Sequence, residues 1–198
     1  MRIGLIGASL AALAVAGCAT TGSASKDDGE RVRIASDPFP STYQRYPGVP
    51  VVITGVTILD GEGGRIENGQ VYLADGKVQA VGQSVAAPAG AQVIDGRGKY
   101  VTPGIIDVHS HLGDYPSPAV PAHSDGNEAT APARPEVWAE HSVWPQDPGF
   151  SRALANGGVT ALQILPGSAN LFGGRSVTLK NVPARTMQGM KVPGAPYG

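Results

Sequence analysis

The chain has 198 residues and a formal net charge of −1, with 41% hydrophobic and 16% charged residues. These proportions fit a globular protein and exclude general disorder, and a near-neutral balance without a basic stripe argues against any nucleic-acid partner. The 28 glycines and 17 prolines predict many turns and loops, and a single cysteine leaves no pair for a disulfide.

Residues 1–18 read as a secretory leader. Arg2 supplies a positive charge, and Ile3 to Gly17 is a run of apolar or small residues. That run is too short to span a bilayer and suits a signal core. It closes on Val15-Ala16-Gly17-Cys18, which resembles the bacterial lipobox and makes Cys18 the predicted lipidation site. The other reading of Cys18 is a buried thiol in an N-terminal helix. Acyl chains on Cys18 would anchor the chain far more firmly than one myristoyl group. Ala19, in place of an aspartate, points to the outer membrane, facing the periplasm. Residues 19–48 read as a flexible linker. Gly22 to Glu30 is polar, whereas Asp37-Pro-Phe-Pro40 and Tyr46-Pro-Gly-Val-Pro50 favour extended, semi-rigid chain.

Residues 49–102 alternate apolar runs with turn signals. Val51 to Leu59 is β-branched and predicts one strand, bulged at Gly55. Gln70–Ala74 and Lys77–Val81 flank Asp75-Gly76, the pair expected of a two-residue hairpin. Gln92–Ile94 and Tyr100–Thr102 bracket Asp95-Gly-Arg-Gly98. The expectation is a small antiparallel sheet without chemistry. Asp60, Asp75 and Asp95 each precede glycine and read as turn formers.

Residues 103–198 open on the apolar stretch Gly104-Ile-Ile-Asp-Val-His109, followed by Ser110-His111. Residues i and i+2 of a strand point to one side, so both imidazoles should leave the same face. Two neutral imidazoles aimed at one point form a cradle for a borderline cation such as Zn²⁺. The plainer reading is two polar residues at a strand end.

Pro103, Gly104, Asp107, His109, His111 and Gly113 match residue by residue the Pro-Gly-hydrophobic-hydrophobic-Asp-x-His-x-His-x-Gly of the first barrel strand of the amidohydrolase superfamily. From about Val51 onward the chain resembles that superfamily. The resemblance implies a (β/α)₈ TIM-type barrel preceded by part of an accessory β-sandwich. It also implies one or two divalent metals, most simply zinc, with His109 and His111 as the first ligands; Asp107 is read as orienting the strand or supporting a ligand from behind. Such a site acts by binding a water and lowering its pKa for attack on an amide or related carbon. A full barrel needs roughly 250 residues, more than the chain's 198. The fold class expected is therefore α/β plus β, with the sandwich portion followed by the first two or three β/α units of a truncated barrel.

Asp114 to Gln146 is a long connection rich in Pro, Ala and Glu. It contains His123, read as solvent-exposed, and His141, which has a possible substrate-facing role between Trp138 and Trp144. Asp147 to Asn156 predicts a short helix with Asp147 as N-cap, Pro148 in the first turn, and Phe150, Ala153 and Leu154 on one side. Asn156-Gly157-Gly158 should end it. Val159–Leu165 then reads as a buried strand, in the order a parallel barrel requires. The loop Pro166-Gly-Ser-Ala-Asn-Leu-Phe-Gly-Gly174 resembles loops of some bacterial amidohydrolases. Its backbone N–H groups can face a substrate, or it can be a plain glycine-rich turn. Ser176–Lys180 is a candidate third strand, and Lys180 at its end is considered as a carboxylated metal-bridging lysine.

The expectation is an exported, lipid-anchored N-terminal portion of an amidohydrolase that cleaves C–N bonds of amides, peptides or cyclic amides, taking a small-molecule or peptide substrate. No catalytic base is identifiable. The alternative is a non-catalytic exported lipoprotein or an inactive fragment, because two imidazoles alone leave a metal weakly held.

Overall fold

The β-branched run beginning at Val51 forms β1 (Val51–Leu59), the central strand of the first sheet. A computed structural model describes residue 35 and residues 37–196; the leader and Cys18 lie outside the described residues. The described residues from Asp37 onward make one compact unit. β1 pairs antiparallel with β2 (Arg65–Ala74), which turns back into β3 (Lys77–Gly82). The hairpin has Asp75 at φ 53° and Gly76 at φ 65°. Two successive left-handed residues are what a primed two-residue turn demands, and Asp-Gly supplies them at least strain. The bulge expected at Gly55 is present. Its φ is 71°, the register with β2 shifts between Thr54 and Val56, and a Cβ there would stand 2.8 Å from Arg97 Cγ.

The expectation of an all-antiparallel sheet is corrected at its other edge. β4 (Gln92–Asp95) and β5 (Tyr100–Val101) do not pair with each other. Both run parallel to β1 in tandem, with Val52 opposite Val93 and Ile58 opposite Val101. Arg97 N donates to Asp95 Oδ1 at 3.1 Å and Lys99 N to Gly96 O at 2.9 Å. This tight turn jogs the chain without reversing it. The result is one five-stranded sheet, with Val56, Ile58 and Val71 as its buried cluster.

The second sheet carries β6 (Ile105–Ser110), β7 (Val159–Ile164) and β8 (Val177–Lys180), in that order. β6 and β7 are parallel, joined through α1 (Pro148–Gly157). α1 begins and ends as its sequence predicts: Asp147 accepts from Gly149 N, and Gly158 is left-handed at φ 64°. The expectation of a third parallel strand is corrected. β8 runs antiparallel to β7, pairing Ile164 with Val177 and Ala161 with Lys180. Only the loop from Leu165 to Ser176 joins them, and it holds no helix. A parallel return needs a crossover of about a dozen residues or more, usually helical. Leu162, Ile164, Leu179 and Met190 are fully buried between this sheet, α1 and the 3₁₀ turns Ala139–His141 and Met187–Gly189. At about 1.5–3 kcal/mol per fully buried large aliphatic side chain, this cluster dominates the packing. β6, by contrast, stands at an edge with Ile105, Ile106 and Val108 exposed.

From Asp37 the stretch read as linker is in contact with this second region. Lys191, with 4% of its side chain exposed, reaches Glu140 Oε2 at 2.6 Å and Asp37 Oδ1 at 2.8 Å. It also donates to Phe39 O at 2.8 Å. Thr42 N donates to Gln188 O at 3.0 Å, and the Tyr46 hydroxyl donates to Pro183 O. Proline-stiffened chain loses little further entropy when it docks in this way.

Candidate metal centre

β6 delivers the histidine pair. Its last residue is Ser110, whose carbonyl accepts from Leu165 N at 3.0 Å, so the strand end is tied to the end of β7. The His109 and His111 rings lie with centroids 5.3 Å apart and planes at 85°. His109 is exposed and His111 half-buried. His111 Nδ1 lies 2.8 Å from Leu165 O. A carbonyl only accepts, so Nδ1 carries the hydrogen, which in a neutral ring leaves the lone pair on Nε2. Ligating histidines are commonly held in this way. Asp107 Oδ1 accepts from His109 N at 3.1 Å, fixing the backbone under that ring. These groups suit a divalent cation in donor type. Among the described residues no group of three or more His, Cys, Asp or Glu gathers as a metal site. The pair thus offers two nitrogens, half of a tetrahedral zinc shell.

The other candidates fall elsewhere. Because β8 runs backwards, Lys180 stands opposite Ala161, which stands opposite Ile106, at the far end of the sheet from His111. Its Nζ lies 5.1 Å from the Tyr43 ring centroid. His141 is stacked on Trp138 at 6.2 Å and meets Phe39 edge-on at 4.8 Å. His123 is exposed against Trp144, with ring centroids 5.3 Å apart. The loop after β7 is no free turn. Gly167 N donates to Gly126 O at 2.6 Å, and Asn170 Nδ2 donates to Glu128 O at 2.6 Å and Ala131 O at 2.8 Å.

Two neighbours of the pair carried no sequence signal beyond proximity. Tyr115 meets His111 edge-on at 5.8 Å, and its hydroxyl accepts from Asn127 Nδ2. Asp114 is fully buried, its backbone N donates to His111 O at 3.1 Å, and neither carboxylate oxygen has a partner in bonding geometry. Burial pushes its carboxyl up to about 7; Asp125 adds to the rise, and the Ser142 hydroxyl offsets it in part.

No family model matches the chain. It is 35% identical over 120 residues to Amidohydrolase tasK of Hapsidospora irregularis, covering 61% of this chain and 12% of that protein. Dihydroorotase of Pelotomaculum thermopropionicum is 45% identical over 62 residues, covering 31% of this chain and 14% of its own. Among solved structures, an amidohydrolase from Thermotoga maritima MSB8 aligns with a TM-score of 0.67 and 36% identity. That alignment covers 73% of this chain and 37% of the solved one. The chain therefore spans only a minor part of the length of these proteins. Their names and the shared architecture support the amidohydrolase superfamily for the region matched.

Proposed function

We propose that the chain is the N-terminal portion of a metal-dependent amidohydrolase that cleaves a C–N bond of an amide, peptide or cyclic amide. The observation that carries this reading is the perpendicular His109–His111 pair with the His111 tautomer set by Leu165 O. A divalent metal bound there, most simply zinc, would supply Lewis acidity and a water of lowered pKa. His109 and His111 would hold it, and Asp107 would keep the His109 backbone in place. The exposed apolar edge of β6 supports a barrel continued by further strands, which would bring the remaining ligands and the general base. Export through the leader and lipid anchoring at Cys18, in the outer membrane facing the periplasm, belong to the same proposal.

A second reading, an exported binding protein without turnover, is favoured by the two-ligand character of the site among the described residues. Metal titration and amide hydrolysis by a protein carrying the downstream strands separate the two. Metal-dependent turnover abolished by His109→Ala and by His111→Ala supports the enzyme. Metal uptake without turnover by that longer protein supports the binding reading.

A further inference from the structure

The His111 imidazole is gripped from two directions. Leu165 O holds Nδ1 at 2.8 Å, and a single such bond leaves the ring free to rock about it. The Tyr115 ring, 5.8 Å away and inclined by 84°, limits that motion through an edge-to-face contact. Tyr115 is 36% exposed, so burial alone does not hold it. Its hydroxyl accepts from Asn127 Nδ2, while Asn127 Oδ1 accepts from Ala169 N at 3.1 Å. Its ring also lies in a slot cut by two glycines: a Cβ on Gly126 would collide with the ring, and one on Gly167 with the hydroxyl. Neither glycine has a positive φ. Their lack of a side chain serves space and not backbone conformation. Leu165, Gly167 and Ala169 all lie just beyond β7, so both grips on His111 come from one segment.

We propose that Tyr115 is a positioning residue for His111 and that Asn127 is its brace, so that the loop after β7 sets the orientation of a metal-binding imidazole. The proposal rests on reading His111 as a ligand. The test uses the full chain, with Co²⁺ alone as probe, and three variants: Tyr115→Leu, Tyr115→Phe and Asn127→Ala. Co²⁺ affinity is measured by competition with a chelating dye, and the His111 tautomer of the metal-free chain by long-range ¹⁵N NMR.

Tyr115→Leu is expected to weaken Co²⁺ by about tenfold or more, the scale of lost support behind a ligand, and to turn a single Nδ1–H tautomer into a mixture. Tyr115→Phe keeps the ring and is expected to lose roughly threefold, and Asn127→Ala at least as much; the two together should cost no more than Asn127→Ala alone, because that variant already breaks the bond to Tyr115 along with its own to Ala169 N. An unchanged tautomer in Tyr115→Leu overturns the proposal, whether or not affinity falls, because a merely structural loss would leave the imidazole as it was. Multiplying losses in the double variant overturn the brace. Should the wild-type chain bind Co²⁺ no better than His109→Ala/His111→Ala, the ligand reading fails separately, and the metal-free tautomer still decides the role of Tyr115.

Discussion

Asp147 joins the helix to the histidine strand, and its removal should be costly. The residue is 3% exposed. Its carboxylate accepts from Gly149 N at 2.8 Å as the helix cap, and from Gly113 N and Ser117 N at 3.0 Å each. Gly113 is two residues beyond His111, so this single side chain fastens the chain leaving the histidine pair to the start of α1. Hydrogen bonds to a charged group contribute about 1.5–3 kcal/mol each. Three at the lower figure give about 4–5 kcal/mol, of which water entering the vacated space recovers some. Asp147→Ala should therefore cost about 3–4 kcal/mol, a large part of the roughly 5–15 kcal/mol typical of a domain. Asp147→Asn keeps one acceptor oxygen but turns an amide N–H₂ toward a donor, and should cost about 2 kcal/mol. Urea unfolding followed by tryptophan fluorescence and far-UV circular dichroism gives both values from the midpoint, provided the slope is unchanged. A loss below about 1 kcal/mol for Asp147→Ala would refute the reasoning.

Three further outcomes are expected. The Asp114 carboxyl sits at about 7 when folded, against 3.8 for the ordinary group, so the folded state binds the proton more tightly and stability falls as pH rises between these values. Relative to Asp114→Asn, the wild type should lose about 2–3 kcal/mol between pH 5 and pH 8; parallel pH–stability curves for the two would contradict this. Lys191→Met leaves the buried Glu140 carboxylate without its cation and should cost about 3–5 kcal/mol, or about 10 °C in melting temperature. Restoring much of that loss with Glu140→Leu in the same chain would support this reading, and no restoration would sink it. Gly167→Ala should displace Tyr115 and perturb the His111 imidazole resonances, whereas Gly98→Ala, which meets open space at positive φ, should cost backbone strain without touching them.

What sequence shows here follows the range of the interaction. The Asp75-Gly76 turn, the Gly55 bulge and the Asp147–Gly158 helix depend on neighbours in the chain and are legible. The nearness of His109 and His111 is legible for the same reason, since they are two residues apart, although β6 ends at Ser110 and His111 lies just beyond it. β4 and β5 look like a hairpin because their apolar runs flank a turn; that they lie in tandem along β1 depends on partners some forty residues away. β8 looks like another barrel strand, and its reversal goes with a connection that holds no crossover helix. Tyr115, Asn127 and Asp114 sit in a loop whose composition shows only Pro, Ala and Glu. Tyr115 and Asn127 take their roles from contact with residues beyond β7, and Asp114 from burial beside Asp125 and Ser142; no local pattern encodes either.

The central claim, that His109 and His111 hold one divalent ion, is tested most directly by X-ray absorption at the zinc edge of the loaded chain. The expected spectrum contains two imidazole nitrogens at about 2.0–2.1 Å, reduced to one in His111→Ala. A first shell without imidazole scattering, or one identical in the wild type and the double histidine variant, would contradict the account.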